Sequence, residues 1–214
     1  LIEGQDNPTI APYAKNGEAI LRITARGKSK EDCLKLILPV EEQIRVRLGI
    51  NIYGTDETSL EEVIGKMLIE KNITISTAES CTGGLIAGTL INYPGISQVF
   101  MEGAVTYGNE AKIKRLGVKP STLEQSGAVS SETAMEMAEG IAKTSSTNIG
   151  LSTTGIAGPE GGTEEKPVGL VYIGLCINGN VCCKKMNFSG NRDMIRKRAA
   201  VTALDFLRRE LLRI

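Results

Sequence analysis

The sequence predicts an α/β protein in two parts: a small α+β unit over residues 1–54 and a larger α/β domain over residues 59–214. Three observations carry this. Ile73-Thr-Ile-Ser-Thr has the β-branched composition of a buried strand, and it breaks at small and polar residues before the apolar-periodic segment Leu85 to Ile91, which reads as strand, sharp turn, helix. Gly169 to Ile177 is nearly continuous in apolar residues, as a central strand is. The polar stretch Thr55 to Thr58 separates these from an earlier segment with its own strand and helix patterns.

In the first unit, Asn7-Pro8 and Ala11-Pro12 predict an extended, turn-rich lead-in, because the residue before a proline is pushed out of the helical region. Glu18 to Arg26 alternates, with Ala19, Leu21, Ile23 and Ala25 on one face, the pattern of a half-buried strand. Ser29 caps the helix that follows, with Asp32 as its capping-box partner. Leu34, Ile37, Leu38, Glu41, Ile44 and Leu48 form a mostly apolar stripe at helical spacing, with Pro39 a kink or break within it. Asn51 to Tyr53 reads as a second short strand. A unit this small is weakly stable unless it docks on something, which suggests a dimer.

Ser59-Leu-Glu-Glu62 is a capping box, and Leu60, Val63, Ile64, Met67 and Leu68 are the buried face of the helix it starts. Ser80 falls near the turn after the following strand. There the N–H groups of a helix start lack intrahelical partners and the dipole is positive, which suits an anion or a developing oxyanion. Gly83 and Gly84 let a ligand approach the backbone. The same residues also fit a plain βα turn with a Ser or Thr cap.

Tyr93-Pro-Gly95 is a turn and Gln98 to Thr106 a strand. Asn109 is read as the cap of a helix that Gly117 stops, which puts Lys112 in its first turn. A cation there opposes the dipole, and the positive helix end lowers its pKa, as a lysine acting as a base requires. A solvated surface lysine is the alternative. Ser121-Thr-Leu-Glu124 is read as another capping box, Ser130 or Ser131 starts a longer helix, and Asn148 to Ser152 is a strand. Thr153 to Gly169 is so rich in glycine that its backbone must adopt positive φ or come close to a ligand, and no G-K-[ST] ends it as in a Walker loop. Asn178-Gly179 turns a hairpin into Val181 to Phe188. Ser189-Gly-Asn-Arg192 opens the last helix, with Met194, Ile195, Val201, Leu204, Leu207 and Leu211 along one side. Its basic stripe reads as a solvated face, although Arg192 at the start could fork onto a phosphate.

Composition narrows the function. The formal charge is zero, aromatics make up 4% and tryptophan is absent, so neither the electrostatic footprint nor the stacking platforms of a general nucleic-acid binder are present. No apolar run approaches the roughly 20 residues that span a bilayer, and no signal-peptide pattern opens the chain. Cys33, Cys81, Cys176, Cys182 and Cys183 are odd in number and form no C-x-x-C pair, which suggests neither a disulfide framework nor a zinc knuckle and fits a reducing cytoplasm. Histidine is absent, which excludes a Ser-His-Asp triad, a Cys-His dyad and His-ligated metal; hydrolysis would need Lys, Tyr or a carboxylate as its base. No metal and no cofactor is assigned. The chain opens on Leu1 rather than Met, as a fragment of a longer protein would.

Thr77-Ala-Glu-Ser-Cys-Thr-Gly-Gly84, Val105-Thr-Tyr-Gly-Asn-Glu-Ala-Lys112, Gly155-Ile-Ala-Gly-Pro-Glu-Gly-Gly162 and Glu165-Lys-Pro-Val-Gly169 resemble, in kind, order and spacing, the motifs of the CinA C-terminal domain. Phe188-Ser-Gly-Asn-Arg192 looks like its closing motif, and the match covers about Ser59 to the C-terminus. Asn191 stands where Asp is expected and Gly108 where Ser is common, and either could alter substrate contacts. The first unit resembles the K-homology-like middle domain of the same family. It lacks the G-x-x-G loop that clamps nucleic acid, and 10 basic against 12 acidic residues up to Asn72 point to a spacer or dimerisation role instead.

The resemblance implies a three-layer α/β/α sandwich around a mixed sheet and the activity of a nicotinamide-nucleotide amidase. That reaction deamidates nicotinamide mononucleotide to nicotinate mononucleotide and ammonia, in pyridine nucleotide salvage. It implies Ser80 as nucleophile, Lys112 as base and Tyr107 as a neighbour that orients or polarises them, with N–H groups around Cys81 to Gly84 holding the oxyanion. The implied substrate contacts are Glu79, Cys81, Thr82, Gly83, Gly84 and Asn109, with Thr154, Gly155, Gly158 and Arg192 on the ribose phosphate. Full-length members carry a further, metal-dependent domain for ADP-ribose hydrolysis, and nothing here matches it. Two other readings stand beside this one: an amidase that uses the Cys81 thiol, and a non-catalytic nucleotide-binding or interaction module linked to competence or DNA damage.

Overall fold

In the smaller unit Thr9–Ala14 (β1) pairs antiparallel with Ala19–Thr24 (β2), from Thr9 opposite Thr24 to Ala14 opposite Ala19. This comes from a computed structural model that describes residues 1–15 and 17–214 and divides the chain into Leu1–Thr55 and Asp56–Ile214. The lead-in expected to be extended and turn-rich is therefore extended as a paired strand. Prolines call for extended backbone, and in a two-stranded ribbon each strand keeps a free edge, so the missing N–H of Pro12 is tolerated. The strand expected at Asn51 to Tyr53 is absent, and Gly49–Asn51 forms a 3₁₀ turn instead. Lys30–Leu48 (α1) is capped by Ser29, whose Oγ accepts the Asp32 N–H at 3.1 Å. It runs through Pro39 unbroken, since proline removes one N–H from the ladder and the rest of the helix carries on. Of its apolar stripe only Ile44 is buried, while Leu38 is 57% exposed.

The larger unit begins with Leu60–Glu70 (α2), capped by Ser59 with Leu60, Ile64, Gly65 and Leu68 buried. Five strands follow: Ile75–Glu79 (β3), Phe100–Val105 (β4), Ile149–Gly155 (β5), Leu170–Ile177 (β6) and Asn180–Asn187 (β7). They lie in the order β4-β3-β5-β6-β7, with β3 parallel to both neighbours and the two remaining pairs antiparallel. A parallel pair needs a crossover. Leu85–Leu90 (α3) connects β3 to β4, while Asn109–Leu116 (α4), Pro120–Gln125 (α5) and Ser131–Thr144 (α6) connect β4 to β5. Arg192–Leu211 (α7) closes the chain.

The helices cover both faces, making the three-layer arrangement. α6 packs on β3, β5 and β6 and against α4; α7 packs on α2, α3 and β5. Met137 and Ile141 of α6 join Ala78, Leu116 and Val118 in one buried cluster. The contact of α6 with the sheet is close enough to dictate residue type, since a Cβ on Gly150 would stand 2.0 Å from the Ala138 carbonyl oxygen. The capping box expected at Ser121 is not formed. Lys119 is the cap position and Pro120 the first helical residue, and the Lys119 N–H and Thr122 hydroxyl both donate to Glu136 on α6. Among the described residues no helix is long and apolar enough to cross a membrane.

Parallel strands β3 and β4 and the adjoining β5 all end at the same edge of the sheet. The crevice outside their carboxyl ends is where open α/β sheets hold ligands.

Candidate active site

Ser80 follows the last residue of β3. Its N–H donates to the Thr153 carbonyl at 3.0 Å, and the Thr106 N–H donates to the Glu79 carbonyl at 2.9 Å, so the segments that follow β4 and β5 hold Ser80 between them. The chain then turns sharply. Gly83 N–H donates back to the Ser80 carbonyl at 3.1 Å, and the Thr82 and Thr153 hydroxyls share a 2.7 Å hydrogen bond.

The helix start expected to be open is taken. Glu79 is buried, and its carboxylate accepts the N–H groups of Gly84, Ile86 and Ala87 at 2.9, 3.2 and 2.8 Å. It serves as the cap that no Ser or Thr supplies, and its negative charge sits against the positive end of the helix. Glu79 is therefore spent on structure and does not line the cleft at Ser80. Glu79→Ala would leave three N–H groups unpaired and is expected to destabilise the fold by about 3 kcal/mol or more. Glu79→Gln, which keeps one acceptor oxygen, should cost less, and urea denaturation measures both.

Lys112 comes from α4 and is 1% exposed. The cap of that helix is Gly108, with no side-chain bond, and Asn109 is its exposed first residue; Asn109 is neither the cap nor a lining residue. Lys112 Nζ lies 2.9 Å from the Thr106 carbonyl oxygen, 3.0 Å from that of Tyr107 and 3.1 Å from Ser80 Oγ. Burial pulls its pKa down from the usual lysine range. Desolvation, not the helix dipole, is the leading cause. A neutral amine has two N–H donors and one lone pair. As an ammonium Lys112 donates to all three oxygens; once it loses a proton, both remaining donors can stay on the carbonyls and the lone pair turns to the Ser80 hydroxyl.

Tyr107 is 62% exposed, and its hydroxyl accepts from Arg192 Nη2 at 3.2 Å. Tyr107 thus orients Lys112 through its carbonyl, while its ring belongs to the mouth of the pocket. Arg192 Nη1 also donates to the Gly158 carbonyl at 2.7 Å, which leaves three of its five N–H donors without an acceptor among the described residues. Asn191 caps α7 through the Met194 N–H at 2.9 Å, a task that Asp performs equally well.

A cleft of about 200 Å³ opens over these groups. Ser80, Cys81, Tyr107, Lys112, Thr154, Gly155 and Arg192 line it, and Glu79, Thr82, Gly83, Gly84, Asn109 and Gly158 do not. The Thr154 hydroxyl donates to the Ala128 carbonyl at 2.6 Å, so its proton is committed within the protein. Ala128, Val129 and Ala157 also line the cleft. Ala157 belongs to the motif Gly155 to Gly162, whereas the sequence carried no sign of Ala128 and Val129, because small apolar residues bear no chemistry to read. Arg196, which bonds the carbonyls of Cys81 and Thr82, was legible in principle: it stands four residues after Arg192 and so on the same helix face.

Cys81 lines the cleft, but burial pushes its thiol up to about 11. At pH 7 only about one molecule in ten thousand would carry the thiolate. Iodoacetamide is therefore expected to label the exposed Cys182 well before Cys81, as peptide mass spectrometry would show.

The chain matches the family model of the CinA C-terminal domain over residues 57–211 and that of the damage-inducible protein CinA KH domain over residues 1–54. It is 67% identical over 209 residues to a protein of Clostridium perfringens named competence-damage inducible, covering 98% of this chain and 51% of that protein. A Clostridium acetobutylicum protein of the same name is 64% identical over 214 residues, covering 100% and 52%. The chain thus spans about half the length of the curated relatives it matches. Among solved structures, the CinA superfamily protein KP700603 of Klebsiella pneumoniae aligns with a TM-score of 0.70 at 32% identity, covering 72% of this chain and 97% of that one. The competence/damage inducible protein CihA of Agrobacterium tumefaciens aligns at 0.67 and 42%, covering 74% and 99%. Two family models in register along the chain and close relatives of the same kind lead to one conclusion: the chain belongs to the CinA family.

Proposed function

We propose that the larger unit is an amidase that converts nicotinamide mononucleotide to nicotinate mononucleotide and ammonia. The observation that carries this reading is the buried amine of Lys112 at 3.1 Å from Ser80 Oγ, with two backbone carbonyls to take its N–H donors. Ser80 Oγ attacks the carboxamide carbon while its proton passes to Lys112 Nζ. The tetrahedral oxyanion is stabilised by backbone N–H groups following Ser80, and Lys112 returns the proton to the nitrogen as the C–N bond breaks and ammonia leaves. Water then attacks the acyl ester, giving its proton to Lys112. The carboxylate is released as that proton returns to Ser80 Oγ. The free donors of Arg192 at the cleft suit a phosphate, which favours a phosphorylated amide over a neutral one.

An ammonia-release assay across nicotinamide mononucleotide, nicotinamide, glutamine and asparagine tests this. Turnover is expected for the mononucleotide up to about 100-fold above the neutral amides in kcat/KM, since a charge-assisted phosphate contact is worth up to about 3 kcal/mol. Binding of the mononucleotide without turnover would support a nucleotide-binding module instead.

A further inference from the structure

We propose that Arg196 is a positioning residue that aims the oxyanion-binding backbone of this site, an inference that rests on the reading of Ser80 as nucleophile. The guanidinium reaches from α7 to the turn after β3, where Nε donates to the Cys81 carbonyl at 3.2 Å and Nη2 to the Thr82 carbonyl at 2.9 Å. One planar fork thus holds two successive carbonyls on the same side.

A trans peptide group points its N–H opposite to its C=O. Drawing the Cys81 carbonyl toward Arg196 therefore turns the Thr82 N–H away from it, and drawing the Thr82 carbonyl the same way turns the Gly83 N–H onto the Ser80 carbonyl, where it is found at 3.1 Å. The Ser80 carbonyl shares its peptide with the Cys81 N–H, so the Gly83 contact turns that N–H the opposite way, and Cys81 lines the cleft while Thr82 does not. Of the N–H groups that follow Ser80, those of Gly84, Ile86 and Ala87 belong to Glu79 and that of Gly83 to Ser80. Among the described residues the N–H groups of Cys81, Thr82 and Leu85 have no backbone acceptor, and of these three Cys81 is the one that lines the cleft beside Ser80.

Arg196 acts on this Cys81 donor in two ways. It fixes the peptide planes of the turn, so that the Gly83 N–H holds the Ser80 carbonyl whose peptide carries the Cys81 N–H, and its charge polarises that run of hydrogen bonds so that the N–H becomes a stronger donor. Gly83 completes the fit. It has φ +61°, and a Cβ there would stand 3.1 Å from Arg196 Nη2, so the absent side chain makes room for the guanidinium rather than for a ligand.

The test compares the full chain with Arg196→Gln and Arg196→Lys in two assays: steady-state ammonia release from nicotinamide mononucleotide, and acylation of Ser80 by p-nitrophenyl acetate followed by intact mass. Arg196→Gln is expected to lower both kcat and the acylation rate about 30-fold, less than the loss on deleting an oxyanion donor outright, with KM within about twofold of the parent. Arg196→Lys, which supplies one bond and no fork, should recover only part of the rate. The pH at which activity levels off should stay that of Lys112 in both. A staple that only holds the fold would lower the melting temperature and leave acylation of the folded protein unchanged, which overturns the proposal, as does a loss confined to KM. If the parent neither forms acyl-Ser80 nor releases ammonia, the nucleophile reading fails and the proposal falls with it. That outcome is distinct from an active parent beside equally active variants.

Discussion

Replacing Ser80 by alanine is expected to lower kcat/KM for ammonia release by at least about 10⁴-fold, a loss of roughly 5.5 kcal/mol of transition-state stabilisation. The hydroxyl is the group that lies against the buried amine at 3.1 Å, and the remaining anchors of this turn do not use it. The N–H of Ser80 stays on the Thr153 carbonyl, its carbonyl keeps the Gly83 N–H, and Glu79 keeps the start of α3. The circular dichroism spectrum and the urea midpoint should therefore change little. Full activity in Ser80→Ala would remove Ser80 from the mechanism.

Lys112→Met keeps the length of the side chain and removes the base, and kcat is expected to fall about 10³-fold. The pH dependence gives a second readout. Lys112 must be neutral to accept the serine proton, so log kcat/KM in the parent should rise with unit slope as pH increases and level off above a pKa lower than that of an ordinary lysine, because burial lowers it. Stability follows the same group. Between the folded pKa and the ordinary lysine value of about 10.4, the unfolded chain binds a proton that the folded chain does not, so the parent gains stability as pH rises through that window and loses it as pH falls. In Lys112→Met that part of the pH dependence should vanish. An unchanged stability profile would mean that the amine keeps its proton in the folded state.

Much of the scaffold was legible in single residues. Ser59 and Ser29 cap the helices they precede, and the break between Thr77 and Leu85 is the turn from β3 to α3. Local hydrogen bonding between a side chain and the next turn of backbone is written in a few adjacent letters. The misreadings share a different cause. Asn109 and Ser121 carry good capping side chains, yet Gly108 and Lys119 hold the cap positions, because where each helix begins depends on what it packs against. The extended stretch through Pro12 could be recognised as extended, but not as paired, since pairing needs β2 beside it.

The sequence by itself determined the inventory: a serine at a strand-to-helix turn, no imidazole anywhere to activate it, and a lysine early in a later helix. Only the tertiary structure decided that Lys112 reaches Ser80 across 32 positions of chain, that it lies buried, and that Glu79 closes the helix end on which an anion was expected to rest. The physical reason is solvation. Whether an amine is a surface cation or a base depends on how much water surrounds it, and that is set by which segments the β3–β4 and β3–β5 pairings bring together at one edge of the sheet.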